Sequence, residues 1–162
     1  KNLRNFKYKN PKKINKVDKK IKKIVKLITL SKKPVLHIGH GVKISGAKNQ
    51  LTKLIKKYKI PFALTWNATD LLDSSHPYYI GRPGAFAERG SNFIIQNCDL
   101  HIAIGTRLPF MVTGYNASDF ARNAKNKVMV DIDPNELRYN NSQPNEKICC
   151  DAKYFLDRKS VV

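Results

Sequence analysis

Two glycines flanking a histidine, Gly39-His40-Gly41, directly follow a short apolar run, and this pattern is typical of a loop that meets a phosphate. Glycine lets the backbone approach an anion closely, and N–H groups at the start of a helix attract negative charge. The third glycine of a full dinucleotide-binding fingerprint is missing from its expected position. The loop therefore leaves two interpretations open, a nucleotide site and an ordinary tight turn.

An acidic pair, Asp131 and Asp133, ends a second apolar run. A carboxylate at the end of a buried strand often binds ribose hydroxyls. Asp133 also precedes Pro134, which suits the first position of a helix, so an N-cap explains this residue equally well. Ribose contact for Asp131 and capping by Asp133 are compatible with each other, and both are kept as expectations.

A glycine-punctuated segment, residues 81–92, is suited either to wrapping a ligand or to an ordinary surface loop. Arginines lie in it and beyond it, and a guanidinium can bind phosphate through two parallel hydrogen bonds, although an exposed arginine is more often only solvated. The four histidines lie in separate segments without the spacing of a metal site. The sequence therefore predicts no metal site and no catalytic residue. The arginines are Arg82, Arg89 and Arg107, and the histidines are His37, His40, His76 and His101.

Strand-like and helix-like segments alternate along the chain. Apolar residues at helical spacing predict an amphipathic helix over residues 16–30, and further helices are expected near 51–58, 91–97 and 134–137. Short apolar runs predict strands at 34–38, 60–66, 100–104, 127–132 and 146–150. This alternation indicates the α/β class: a doubly wound, Rossmann-like parallel sheet with helices on both faces. Because the carboxyl ends of parallel strands share one rim, the turns after four of these strands are expected to gather there.

The formal charge of +19 is concentrated at one end of the chain. Residues 1–33 contain 14 Lys or Arg against one acid, Asp18, for a local charge of +13, and the other 129 residues carry 19 − 13 = +6. Few arginines and aromatic residues accompany these lysines, so specific nucleic-acid binding is the weakest interpretation. We expect residues 1–15 to form a basic linker, residues 16–158 one domain and residues 159–162 a C-terminal tail. No apolar run is long enough for a membrane span, which predicts a cytoplasmic protein.

Eight segments together resemble the central domain of acetolactate synthases and related thiamine-diphosphate-dependent enzymes. The resemblance covers about residues 20–151, and its strength lies in the shared order of motifs that are weak one by one. The matching segments are residues 34–41, 60–65, 76–77, 81–84 with Asn92, 97–107, 112–114, 120–121 and 131–136.

This resemblance implies a cofactor-binding role for the rim. In acetolactate synthases the central domain holds FAD in an extended pose between a pyrimidine-binding and a diphosphate-binding domain. Carried over by position, five groups of residues are implied to contact the ligand. By the diphosphate or ribose lie Gly39, His40 and Gly41; by the flavin Thr65 and Trp66; under the ligand Gly81 and Gly84; along its length Gly105, Thr106 and Arg107; and near the adenosine Asp131 and Ile132.

The chain also departs from the family pattern. After the Gly-x-Arg step, acetolactate synthases continue with an aromatic residue, two acids and an arginine, whereas residues 108–111 here are Leu-Pro-Phe-Met. Their His-Gly step in the glycine segment is replaced by Phe86 and Ala87. These losses leave FAD, an ADP-like nucleotide and no ligand as the alternatives for the rim.

The resemblance assigns the reaction to other parts of a larger enzyme. The family holds thiamine diphosphate and Mg²⁺ with a Gly-Asp-Gly step followed by an Asn-Asn step, and no Gly-Asp step occurs here. The whole enzyme is expected to cleave a 2-oxo acid and transfer the acyl group, as a homodimer or homotetramer, while this chain alone is expected to be inactive. A stand-alone nucleotide-binding or regulatory module is the alternative from another class.

Overall fold

A parallel sheet organises residues 14–158, the part of the chain that this computed structural model describes. Its strands are β1 (Pro34–Ile38), β2 (Phe62–Leu64), β3 (Leu100–Ile104), β4 (Asn126–Asp131) and β5 (Glu146–Cys149). They lie in the order β2-β1-β3-β4-β5, and every neighbouring pair is parallel. The doubly wound fold class predicted from the sequence is confirmed.

The helices connect the strands and cover both faces of the sheet. α1 begins two residues before the predicted start, so Ile14 and Asn15 lie in it, while the rest of the expected linker and the expected tail fall outside the described residues. The helix expected near residues 51–58 is α3, and a short helix that was not predicted, α2, precedes it; Gly46 between them adopts a left-handed conformation with φ of 66°. The helices are α1 (Ile14–Leu30), α2 (His40–Ile44), α3 (Lys48–Tyr58), α4 (Arg89–Asn97), α5 (Phe110–Thr113), α6 (Pro134–Tyr139) and α7 (Ala152–Leu156).

Side chains alternate along each strand between two apolar cores. On one face Leu36, Ile102 and Val130 pack with residues of α1, α2, α3 and α7. On the other face the neighbouring residues, Val35 among them, pack with residues of α4, α5 and α6. The predicted stripe of α1 belongs to the first core, since Ile21, Ile24 and Ile28 are buried there. Two filled cores explain why strands of this sheet are apolar on both sides.

A segment for which the sequence predicted no strand covers the outer edge of β2. Phe62 donates its N–H to Tyr78 O and accepts from Ile80 N, at 2.8 and 3.0 Å. Leu64 N donates to Gly81 O at 3.3 Å, so residues 78–81 run beside β2 like a sixth strand. This pairing satisfies backbone groups that an edge strand would otherwise expose.

Asp18 connects the first and last helices of the described chain. Its carboxylate accepts a hydrogen bond from the Tyr154 hydroxyl at 3.3 Å and pairs with Arg158 at 3.0 Å. The Arg158 guanidinium also lies 3.9 Å from the centre of the Tyr154 ring. The one acid among the first 33 residues therefore joins α1 to α7.

Two buried histidines lie side by side in the second core. His37 in β1 and His101 in β3 are 0% and 2% exposed, and His37 Nδ1 is 3.3 Å from His101 Nε2. His37 Nε2 is buried without a hydrogen-bond partner among the described residues. An unpaired acceptor costs less than an unpaired N–H in this setting, which favours a proton on His37 Nδ1 donated to His101. Phe120 packs against both rings, with centroids 6.2 and 5.2 Å away.

This histidine pair is expected to make the domain sensitive to acid. Burial lowers the pKa of His37 from 6.5 to about 4, and burial, His37 and Lys127 together lower the pKa of His101. Because the histidines of the unfolded chain take up protons at higher pH than those of the folded chain, the free energy of unfolding should be unaffected by this pair above pH 6.5. It should decrease as the pH drops toward 4. For His37 the loss reaches roughly 3 kcal/mol at pH 4, at about 1.4 kcal/mol per pKa unit.

Urea unfolding measured at several pH values tests this expectation. The double substitution His37→Gln with His101→Gln should flatten the curve between pH 6.5 and 4, since a pair of amides has no proton to gain there. His40→Gln, which removes a half-exposed imidazole, is the control and should leave the slope in place. An unchanged slope in the double variant would show that other groups cause the acid sensitivity.

Candidate functional site

The predicted turns lie at one rim because the strands they follow are parallel neighbours. Gly39 follows β1, Thr65 follows β2, Gly105 follows β3 and Asp131 ends β4. The chain passes from β1 to one side of the sheet and from β3 to the other, so the point where the winding direction reverses lies between these strands. In open α/β sheets the crevice at this point is the usual ligand site.

Hydrogen bonds continue beyond the strand ends and connect these turns. Thr65 N donates to Ile38 O at 2.9 Å, and Gly39 N donates to Ile104 O at 2.9 Å. Gly105 N donates to Val130 O at 2.9 Å. The rim is thus a continuous extension of the sheet, and its shape is fixed by backbone contacts.

The glycines at the reversal point pack against one another. A Cβ atom added to Gly39 would lie 2.2 Å from Gly105 O, and one added to Gly105 would lie 2.9 Å from Gly41 Cα. Gly41 N donates to Gly105 O at 3.0 Å. The N–H groups of Gly39 and Gly41 therefore have backbone partners, and we attribute these glycines to the close approach of two loops. The sequence left a nucleotide site and an ordinary tight turn open, and it did not predict this contact between loops.

The exposed side chains of the rim come from three turns. Trp66 is 54% and Ile132 46% exposed. Arg107 is exposed as well: its Nε lies 3.4 Å from Glu136 Oε1, and its carbonyl accepts from Asn140 Nδ2 at 2.6 Å. These three side chains can meet a ligand from solvent, with an apolar surface on Trp66 and Ile132 and a cation on Arg107.

The remaining polar residues of the rim face inward or bind nearby backbone. Thr65 and Thr106 are buried, and the Thr106 hydroxyl accepts from Leu108 N at 3.3 Å. His40 is half-buried, and its Nδ1 lies 2.6 Å from Asn67 O, so this nitrogen donates to the carbonyl. These side chains support the turns. Their predicted role as ligand contacts stays a prediction.

Of the acidic pair at the end of β4, Asp133 caps a helix. Asp133 accepts a hydrogen bond from Asn135 N at 2.8 Å at the start of α6, which confirms its interpretation as an N-cap. Asp131 is 8% exposed, and one of its carboxylate oxygens accepts from Asp133 N at 2.9 Å. Its contact with a ribose stays a prediction.

The glycine segment forms its own compact turn. Asn92 binds both backbone groups of Gly84, accepting from its N–H at 2.9 Å and donating to its carbonyl at 2.8 Å. A Cβ added to Gly84 would lie 2.7 Å from Met111 O. Gly81 has φ of 97° and ends the segment that pairs with β2. The spacing of Gly84 and Asn92 is therefore explained by local structure.

An exposed apolar cluster was not predicted. It comprises side chains from the glycine segment, from α5 and from the turn after it. The Phe110 and Tyr115 rings pack with centroids 6.1 Å apart. The members and their exposed fractions are Phe86 at 72%, Phe110 at 60%, Met111 at 39% and Tyr115 at 98%. The signal in the sequence was the apolar composition of residues 108–111.

Within residues 14–158, no group of three or more His, Cys, Asp or Glu side chains could hold a metal ion. No helix in the same range is both long and apolar enough to cross a bilayer. The side chains at the rim provide one cation, an aromatic surface and carboxylates, which suits binding and orientation of a ligand but supplies no nucleophile with a neighbouring base.

Comparison with known proteins identifies relatives of this domain. The family model "Thiamine pyrophosphate enzyme, central domain" matches residues 21–159. The acetolactate synthase large subunit of Cyanidium caldarium is 36% identical over 126 residues, which are 78% of this chain and 21% of that protein. The isozyme 2 large subunit of Escherichia coli is 35% identical over 107 residues, 66% of this chain and 19% of that protein. A probable acetolactate synthase large subunit of Methanocaldococcus jannaschii is 36% identical over 129 residues, 80% of this chain and 21% of that protein.

The packing of the rim glycines predicts an unequal effect of two alanine substitutions. Gly105→Ala should destabilise the domain by about 2 to 4 kcal/mol, because φ of 61° is strained for alanine and the new Cβ meets the backbone of Gly41 and Val42 at 2.9 Å. Gly46 has nearly the same φ, 66°, with nothing within 4 Å of an added Cβ, so Gly46→Ala should cost about 1 kcal/mol. Urea unfolding of both variants measures the difference. Equal losses would contradict the packing argument.

Proposed function

The chain belongs to the family of thiamine pyrophosphate enzyme central domains, and from this premise we propose that it is the middle part of an acetolactate synthase-like enzyme. The observation that carries the proposal is the parallel sheet of order β2-β1-β3-β4-β5, found within the residues that the family model matches. The chain spans about a fifth of the length of the curated relatives that it matches, so the activity of the whole enzyme is part of the proposal.

The whole enzyme would cleave a 2-oxo acid and transfer the acyl unit to an acceptor. Thiamine diphosphate supplies a stabilised carbanion when it is bound. The described residues do not fit this cofactor or its Mg²⁺, since they contain no cluster of metal ligands and the sequence has no Gly-Asp step. Both ligands are therefore assigned to the rest of the polypeptide. The relatives are acetolactate synthase subunits, which favours this role over a stand-alone module or a basic nucleic-acid-binding protein.

This domain would serve the whole enzyme as a structural part that contacts the other domains. It has two cores of its own and presents its rim and an exposed apolar cluster as surfaces for other domains. We extend the proposal to a homodimer or homotetramer of the whole enzyme in the cytoplasm.

We further propose that an adenine nucleotide, FAD or ADP, lies across the rim on side chains. The amides of Gly39 and Gly41 already have partners and do not fit a diphosphate, whereas Trp66, Arg107 and Ile132 are exposed. A purine packs well on an aromatic or aliphatic surface, and a guanidinium binds phosphate. Gly39, Gly41 and Gly105 would act indirectly, by holding the two turns together.

Analysis of the purified whole enzyme tests this nucleotide proposal. Denaturation should release an adenine nucleotide in amounts comparable to the protein, and visible absorption of the native enzyme should show whether it is a flavin. Arg107→Gln should weaken retention about tenfold, because a charge-assisted hydrogen bond is lost. Arg122→Gln is the control, since Arg122 is also exposed and also ion-paired, 3.2 Å from Asp119. An enzyme without any adenine nucleotide would overturn the proposal for the rim and leave the architectural role standing.

Thiamine diphosphate is not expected to bind the 162-residue chain. The reason is chemical, because the carboxylate and amide ligands that hold Mg²⁺ and the diphosphate are not grouped in residues 14–158. Calorimetric titration of the chain with thiamine diphosphate and MgCl₂ should give no binding heat. Micromolar affinity would contradict the assignment of the cofactor to other domains.

A further inference from the structure

A cavity lies at the amino-terminal edge of the sheet, opposite the rim described above. Its volume is about 770 Å³. Its walls come from the end of α1, the start of β1, the end of α3 with the turn into β2, and the last turns of α4. No residue of the predicted rim site lines it. Pockets that bind small molecules usually have volumes of about 300 to 1,000 Å³, so the size suits a small ligand.

The floor of the cavity is apolar. Ile28, Val35 and Ile60 line it and are themselves buried, at 6%, 2% and 1% exposure. Phe93 and Ile94 of α4 also line it, and Phe93 is 69% exposed, a large aromatic surface left uncovered beside the opening. Such a surface loses contact with water when an apolar group covers it.

The mouth of the cavity is positively charged. Lys32, Lys33, Lys57 and Lys59 line it with exposed side chains, and none of the four pairs with a carboxylate within residues 14–158. The Lys57 ammonium lies 5.1 Å from the centre of the Tyr58 ring, which places one charge beside the apolar floor.

Nearby negative charge does not cancel these four lysines. The C-termini of α1, α3 and α4 point to this edge and contribute about half a negative charge each. Asp99 adds one carboxylate, and it already accepts from the Ser31 hydroxyl and from the N–H groups of Lys32 and Lys33, at 2.8 and 3.0 Å for the two N–H donors. A net positive potential remains at the mouth.

We propose that this cavity binds a small organic anion, with its apolar body on the floor beside Phe93 and its phosphate, sulfonate or carboxylate head at Lys57 and Lys59. The volume of about 770 Å³ lies in the range of pockets that bind small molecules, so we take a small molecule as the occupant and treat an acidic peptide as an outcome of the test. The anion relieves repulsion among the lysines, while its apolar part covers surface that water now reaches.

Two fluorescent naphthalenes of similar shape test the proposal on the 162-residue chain. Anilinonaphthalene sulfonate carries a negative charge, whereas N-phenyl-1-naphthylamine is neutral. The double substitution Lys57→Gln with Lys59→Gln should weaken binding of the sulfonate about fivefold at low salt and leave binding of the neutral dye unchanged. Phe93→Ala should weaken binding of both dyes. Octyl phosphate should displace the sulfonate, and inorganic phosphate at the same concentration should not.

The controls locate the bound dye. Phe110→Ser with Tyr115→Ser removes the main rings of the exposed apolar cluster, and Arg107→Gln alters the rim; neither should change the affinity for the sulfonate. Loss of binding in either control, with none in the lysine variant, would overturn the proposal by placing the dye elsewhere. Displacement by polyglutamate but not by octyl phosphate would also overturn it in favour of an acidic polypeptide. The nucleotide proposed for the rim is judged independently, since it is measured on the whole enzyme.

Discussion

The close approach of the turns after β1 and β3 is the constraint on which the rest of the rim depends. Gly39 and Gly41 meet Gly105 with backbone atoms so near that no side chain fits between the turns. The same contact lets β1 and β3 lie next to each other, although the chain passes from them to opposite faces of the sheet. Because hydrogen bonds connect each turn to the next strand, the positions of Thr65 and Asp131 follow from this junction.

The strands and the fold class were predictable because they depend on local patterns. Apolar runs predicted β1 and β3 residue for residue, and alternation of strands with helices predicted a parallel sheet. The pairing of residues 78–81 with β2 was not predictable, because Tyr78 and its neighbours join the sheet through backbone hydrogen bonds that leave little trace in side-chain type. The short helix α2, which Gly46 separates from α3, was not predicted either.

The site was predictable in position but not in the role of each residue. Sequence order placed Gly39, Gly105 and Asp131 at strand ends, and parallel pairing brings strand ends to one rim. The sequence could not decide whether a glycine admits a phosphate or a neighbouring loop, since both need the absence of a Cβ atom. Only coordinates show that the atom in the way of a Cβ on Gly39 is the Gly105 carbonyl. The cavity at the opposite edge escaped prediction because its walls come from segments far apart in sequence.

The domain combines well-packed cores with a cluster of exposed apolar side chains on its surface. Both faces of the sheet are packed within residues 14–158, and Asp18 connects α1 to α7. Outside, Phe86, Phe110 and Tyr115 lie exposed in one region. Scattered apolar residues are common on surfaces, but a cluster of large ones usually marks a contact. Because all the members of this cluster are uncharged, the cluster favours contact with protein over contact with a charged ligand.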